Sequence, residues 1–172
     1  MKILKITLWV LAGMAVVFVG NGIYRFSRPQ VEATSRPLTL AEFRDQYGHE
    51  ALPQSASNIW YAHSSVGLGG RASLYRFNAP AADCVAYAKQ IMSKGGVDRQ
   101  TGKATPLLLV ELKVSPDAIQ HKFLKEAYGL DTAGWFDVEC IKEGWEGRCS
   151  PSGLGHLWVD GKRGRFYYYW TD

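Results

Sequence analysis

Residues 3–24 read ILKITLWVLAGMAVVFVGNGIY, and no charged side chain falls between Ile6 and Ile23. A helix rises 1.5 Å per residue, so about eighteen such residues span roughly the hydrocarbon thickness of a bilayer. The stretch therefore has transmembrane length, and it sets the solvent that everything after it meets. A cleaved signal peptide is the competing reading, because Lys2 and Lys5 form a basic start ahead of the apolar run. Against cleavage, Val19, Gly20, Asn21 and Gly22 make a poor small-x-small site, and Val31-Glu32-Ala33 lies too far beyond the run. No cysteine precedes Cys84, which excludes a lipoprotein-type anchor within these residues. We expect a retained anchor over 1–24, a Pro-containing polar tether over 25–37 and one domain over 38–172.

Orientation rests on Lys and Arg near the ends of the span, and Lys2 and Lys5 on one side are balanced by Arg25, Arg28 and Arg36 on the other. The signal-like start and the cysteine spacing favour a single-pass protein of the bacterial inner membrane with its C-terminal domain outside the cytoplasm. A cytoplasmic domain is the open alternative. Charge then narrows the partners. The chain carries 20 Lys and Arg against 16 Asp and Glu. The surplus of basic residues matches the four that flank the anchor, Lys2, Lys5, Arg25 and Arg28. That placement suits lipid headgroups and supports no nucleic-acid face.

Within the domain, Thr39-Leu40-Ala41-Glu42 has the form of a capping box and predicts a short helix ended by Gly48. Asn58 to Ser64 and Ala72 to Phe77 predict two strands joined by a Gly-rich loop. In the second, Leu74 and Arg76 face one side and Ser73, Tyr75 and Phe77 the other. The glycine run 67–70 is not a phosphate cradle, since a strand and not a helix follows it. Pro80 introduces a helix over 81–93, with Cys84 on its apolar face as a buried thiol. The run 107–114, LLLVELKV, is the most apolar strand candidate and is expected at the sheet centre. Ser115, Pro116 and Asp117 then predict a helix start, with Ile119, Phe123, Leu124, Ala127 and Tyr128 inward, Gly129 as its stop and His121 on the solvated side. Leu154 to Asp160 and Arg165 to Trp170, joined at Asp160-Gly161, predict a final hairpin in which Phe166, Tyr168 and Trp170 oppose Tyr167 and Tyr169. The fold class is α+β, with an antiparallel or mixed sheet of about five strands and two main helices on one face.

The chemistry-bearing residues are sparse. Cys140 and Cys149 enclose eight residues with two glycines, so a disulfide is geometrically reasonable, worth roughly 2–3 kcal/mol by loop closure, in an oxidising compartment. Zinc held by Cys140, Cys149 and His156 lacks the paired spacing of structural sites, and no metal or cofactor is expected. The candidate binding residues are Trp135, Asp137, Trp145, Tyr167 and Tyr169, rigid rings and a carboxylate suited to a protein partner or a sugar face. Sheet propensity alone also accounts for the tyrosines.

The segments LPQSASNI (52–59), LYRFNAP (74–80), Trp135-Phe136-Asp137 and YYYWTD (167–172) together resemble a group of small bacterial membrane-anchored or secreted domains. The resemblance implies a bacterial single-domain protein and carries over no catalytic role. The expected function is a non-enzymatic, membrane-tethered accessory domain of a cell-envelope system, bound to the bilayer through residues 3–24 and to an envelope protein. The alternatives are a glycan-binding module, or a hydrolase using His63 or His156 with Asp137 and a hydroxyl such as Ser64. The nucleophile elbow G-x-S-x-G is absent.

Overall fold

Alternation along a strand sends neighbouring side chains to opposite sides of a sheet, and here both sides are apolar enough to need cover. The computed structural model describes residue 19 and residues 28–47, 52–67, 70–93, 96–97, 104–105, 108–117, 119, 121–148 and 155–171. Its strands are β1 (Gln30–Ala33), β2 (Ser57–Ser65), β3 (Arg71–Asn78), β4 (Gly96–Val97), β5 (Ala104–Thr105), β6 (Val110–Glu111), β7 (Gly144–Arg148), β8 (Gly155–Asp160) and β9 (Arg165–Thr171). Seven of them form one antiparallel sheet in the order β1-β2-β3-β9-β8-β7-β6, and β4 pairs with β5 apart from it. Among the described residues of the domain the helices are α1 (Leu40–Tyr47), α2 (Ala81–Ser93) and α3 (His121–Tyr128), with a 3-10 turn at Val138–Cys140. The domain is thus α+β, as the sequence implies.

The chain enters the sheet from both edges. One antiparallel run goes inward through β1, β2 and β3, a second through β6, β7, β8 and β9, and the two meet where β3 pairs with β9 from Ala72↔Thr171 to Asn78↔Arg165. On one side Ile59, Tyr75, Phe77, Leu157, Val159 and Phe166 pack under Phe43 of α1 and Cys84, Tyr87, Ala88 and Met92 of α2. On the other, Ala62, Ala72, Leu74, Trp158 and Tyr167 pack under Leu124 and Tyr128 of α3 and under Trp135, Phe136, Val138 and Ile141. The sheet is the middle layer of three.

Several expectations are corrected by this arrangement. The two main helices expected on one face, α2 and α3, lie on opposite faces, because the alternation in β2, β3, β8 and β9 makes both faces apolar. The strands of the main sheet number seven, two more than expected. One of these is β1, formed by part of the expected tether, with Leu38 bridging Ile59 just after it. The other surprise is the run 107–114, of which Val110–Glu111 form edge strand β6 and no central strand. Hydropathy could not distinguish the two, since a run buried from both sides and an edge that leaves its apolar residues in water have the same composition. Leu108, Val110 and Val114 are 73%, 53% and 76% exposed. The helix expected from Ser115 begins only at His121, and Phe123 points outward at 50% exposure.

Local chemistry accounts for the elements that match expectation. In the capping box Thr39 N donates to Glu42 Oε2 at 2.8 Å, and Glu42 N donates to Thr39 Oγ1 at 3.3 Å. Hydrogen bonds from Arg36 and from Thr39 hold the Glu42 carboxyl down at about 2. Gly129 closes α3 with φ +70° and donates from N to Lys125 O at 3.0 Å, a left-handed cap that glycine adopts without strain. In the last hairpin Asp160 Oδ1 accepts from the backbone of Lys162 and Arg163 at 3.0 and 2.9 Å, which sets the turn. No helix among the described residues is long and apolar enough to cross a membrane. Apart from Val19, the expected anchor lies outside the described residues, as does Gly48.

Phe77 lies at the middle of this core, stacked on Phe166 at 5.0 Å and edge-on to Tyr87 at 5.5 Å. Phe77→Ala is expected to lose about 3–5 kcal/mol, seen as a lower urea midpoint with an unchanged slope.

Candidate functional site

Alternation turns Arg76 to the α3 side of β3, beside Leu74, where a guanidinium is out of place unless a carboxylate meets it. Arg76 is 7% exposed. Its Nη1 donates to the Trp135 carbonyl at 2.8 Å and lies 3.7 Å from Asp137 Oδ1. The β3–β9 register sets Tyr167 across from Arg76 and Arg165 across from Asn78, so both side chains share that face. Tyr167 OH donates to Asp137 Oδ1 at 2.8 Å, and Arg163 Nη1 and Arg165 Nη1 each approach Oδ2 at 3.3 Å. Arg163 Nε also stands 3.7 Å from Asp160 Oδ2. Three guanidinium groups therefore surround two carboxylates.

The charges are tightly constrained. Burial pushes the Arg76 pKa down, the neighbouring Arg165 charge adds to this, and Tyr167 and Asp137 oppose it. Burial pushes the Tyr167 phenol up to about 12, against the hydrogen bond with Arg165 and with the one it donates to Asp137. The phenol is a fixed donor at neutral pH, and Asp137 has its oxygens occupied by partners. Chemically the cluster is a clamp: it fastens the segment carrying Trp135, Phe136 and Asp137 to the central strands.

Of the five residues singled out by sequence, Trp135, Asp137 and Tyr167 meet here, although Trp135 and Tyr167 are buried. Tyr169 is half-buried on the same face, and Trp145 is half-buried on the α2 side, beside Gly161. Arg76, Arg163 and Arg165 were not anticipated. The signal for Arg76 was present: a basic residue in phase with Leu74 on an inward face calls for an acidic partner.

Of the residues proposed for a hydrolase, Ser64 on β2 and His156 on β8 are separated in the sheet by β3 and β9. Ser64 is fully buried on the α3 side, whereas its strand neighbour His63 faces the α2 side and meets a different hydroxyl, Ser73 Oγ, at 2.8 Å from Nδ1. His156 stacks on Trp158 at 5.5 Å. His121, expected in solvent, is half-buried, with Nδ1 2.8 Å from the buried Thr132 Oγ1. Cys84 is fully buried and its thiol is pushed up to about 12 by burial, as suits a core thiol. Cys140 is exposed with a free thiol, and Cys149 lies outside the described residues. Among the described residues no group of three His, Cys, Asp or Glu is placed to hold a metal ion.

Two open features remain. A shallow cleft of about 560 Å³ lies between the 52–55 turn and α2, lined by Leu52, Ser55, Asp83, Tyr87 and Gln90, with Ser55 Oγ donating to Asp83 Oδ2 at 2.5 Å. At the β6 edge, Leu108, Val110 and Val114 present aliphatic side chains to water. Comparison with protein-family models, curated proteins and solved structures gives no match for the chain.

Asp137→Asn removes the only carboxylate within reach of the Arg76 guanidinium among the described residues. The expected loss is about 1–3 kcal/mol, less than for a fully buried pair, because the Asp137 side chain is 30% exposed. Chemical denaturation at pH 7 measures it. The phenol and thiol give a separate pH signature. Both are raised in the folded state, from ordinary values of 10.0 and 9.0 to about 12. Their contribution is complete below pH 9 and is lost as pH climbs towards 12. Urea midpoints across that range should fall, and Tyr167→Phe should fall less steeply above pH 10 than the parent.

Proposed function

We propose that the chain is a membrane-tethered, non-enzymatic interaction domain serving as an accessory component of a bacterial cell-envelope system. Residues 3–24 hold it to the inner membrane and the domain faces out of the cytoplasm. One observation carries the reading. Three large aliphatic residues, Val110 of edge strand β6 with Leu108 before it and Val114 after it, are exposed, and the outer side of β6 has no neighbour among the described residues, whereas soluble domains usually blunt such edges with charge, Pro or a cover. Edge strands of this kind bind partners by strand addition, backbone hydrogen bonds giving affinity and alternate side chains selectivity. The opposite edge looks defended: β1 is preceded by Pro29 and carries Glu32. Trp145 and Tyr169, which keep part of their surface open, remain candidates for a wider contact, and the Cys140–Cys149 bridge belongs to the same proposal for an oxidising compartment.

The test is co-purification of full-length protein from its native membrane in mild detergent, beside Leu108→Asp/Val114→Asp. A stoichiometric assembly that the double substitution abolishes supports the reading. An assembly unaffected by it would place the contact elsewhere. A truncated control should begin at Arg28 and not at Leu38, since β1 belongs to the sheet.

A further inference from the structure

The β6 edge has a sequence that reads against itself. Centred on Leu112, residues 110–114 are Val-Glu-Leu-Lys-Val. An antiparallel neighbour carrying the same segment would set Val110 against Val114, Leu112 against Leu112 and Glu111 against Lys113. Each pairing is apolar with apolar or acid with base. We infer that the occupant of this edge is a second copy of the chain, joined β6 to β6 about a two-fold axis through Leu112. The inference rests on the interaction reading of the edge and names its partner.

Backbone direction agrees with that register. Leu112 N donates inward to Gly144 O at 2.9 Å, and Val110 lies opposite Glu146 in β7. Along a strand the hydrogen-bonding direction alternates, so the N–H and C=O groups of Glu111 point away from β7, towards the open side, and those of Lys113 follow once the two-residue strand extends through it. In a self-pair centred on Leu112 those are the residues that exchange hydrogen bonds, Glu111 of one copy with Lys113 of the other, while Leu112 meets Leu112 at the close, non-hydrogen-bonded position. A register shifted by one residue would align inward groups with outward ones and break the pattern.

Side-chain faces agree as well. A two-fold axis perpendicular to an antiparallel sheet keeps each face on its own side. Leu112 packs towards the α3 side, as Leu109 does towards the α2 side, so Val110 and Leu112 share one face and Glu111 has the other, and extension of the strand on pairing adds Val114 to the first face and Lys113 to the second. The pairing therefore builds an aliphatic ladder on the α3 side, where Val110 and Val114 are otherwise in water, and two Glu–Lys contacts on the α2 side. Lys113 and Val114 form a bend in the single chain and straighten on pairing. The interface is isologous and closed, and joins two seven-stranded sheets into one.

The test uses the full chain in mild detergent, with mass read by light scattering over a range of protein concentrations. Glu111→Lys and Lys113→Glu each turn two attractive cross-strand pairs into repulsive ones, and each should weaken the dimer roughly tenfold. Glu111→Lys combined with Lys113→Glu restores both pairs and should restore the parent dimer. Both residues are exposed, so thermal unfolding of each variant should match the parent at concentrations low enough for both proteins to be monomeric, which separates assembly from folding. A dimer indifferent to the single changes, or one that the double change fails to recover, overturns the proposal. So does a parent that stays monomeric. If that monomer still captures an envelope protein through Leu108 and Val114, only the self-pairing fails and the interaction reading stands. Loss of both assemblies removes both.

Discussion

Everything in this domain depends on the pairing of β3 with β9. These strands lie far apart in the chain, at Arg71–Asn78 and Arg165–Thr171, and each inward run of the sheet ends on one of them. Their alternation divides the apolar side chains almost evenly, with Tyr75, Phe77 and Phe166 on the α2 side and Ala72, Leu74 and Tyr167 on the α3 side. A sheet made in that way cannot leave a face open. The helices are distributed as they are because each face needs a cover, and α1 with α2 serves one while α3 with the 130–141 segment serves the other.

The α3-side cover is the less regular of the two, and it is here that polar chemistry enters the core. A single turn of 3-10 helix and a short α-helix bury fewer apolar residues than α2 does, and the Asp137 cluster supplies direction that hydrophobic contact lacks. Bonds from Arg76, Arg163, Arg165 and Tyr167 converge on one carboxylate and fix where the segment sits. The buried Nε of Arg76 has no hydrogen-bond partner, a cost accepted at this position. The cluster is thus a device for uniqueness of packing more than a source of stability.

How much of this could be read in the sequence follows from the range of the forces involved. The capping box at Thr39, the hairpins, the α2 helix and the alternation of 73–77 and 166–170 were legible, because each is set by residues within a few positions of one another. The β6 edge was misread, because an apolar run reports its hydrophobicity and not the number of neighbours it will have. The clamp was half legible: Trp135, Asp137 and Tyr167 stood out by type, but the arginines that join them lie far apart in sequence and meet only through the β3–β9 register. His121 was misplaced for the same reason, its partner Thr132 lying across a helix and a turn.

The position of β9 also governs when the domain can exist. A sheet built outward from its first strand can fold progressively as the chain is made. Here the first three strands of the main sheet end on β3, whose second partner is not available until Arg165–Thr171 has been synthesised. Closing that pair joins residues far apart in the chain, as Ala72 with Thr171, and long-range pairings of this kind are slow to form compared with a local turn. Until then β3 is paired with β2 alone and its other edge is open, a state that invites association with other chains. The last strand of the main sheet in sequence is thus one of its two central strands in space, so the sheet becomes continuous from β1 to β6 only when that strand is in place.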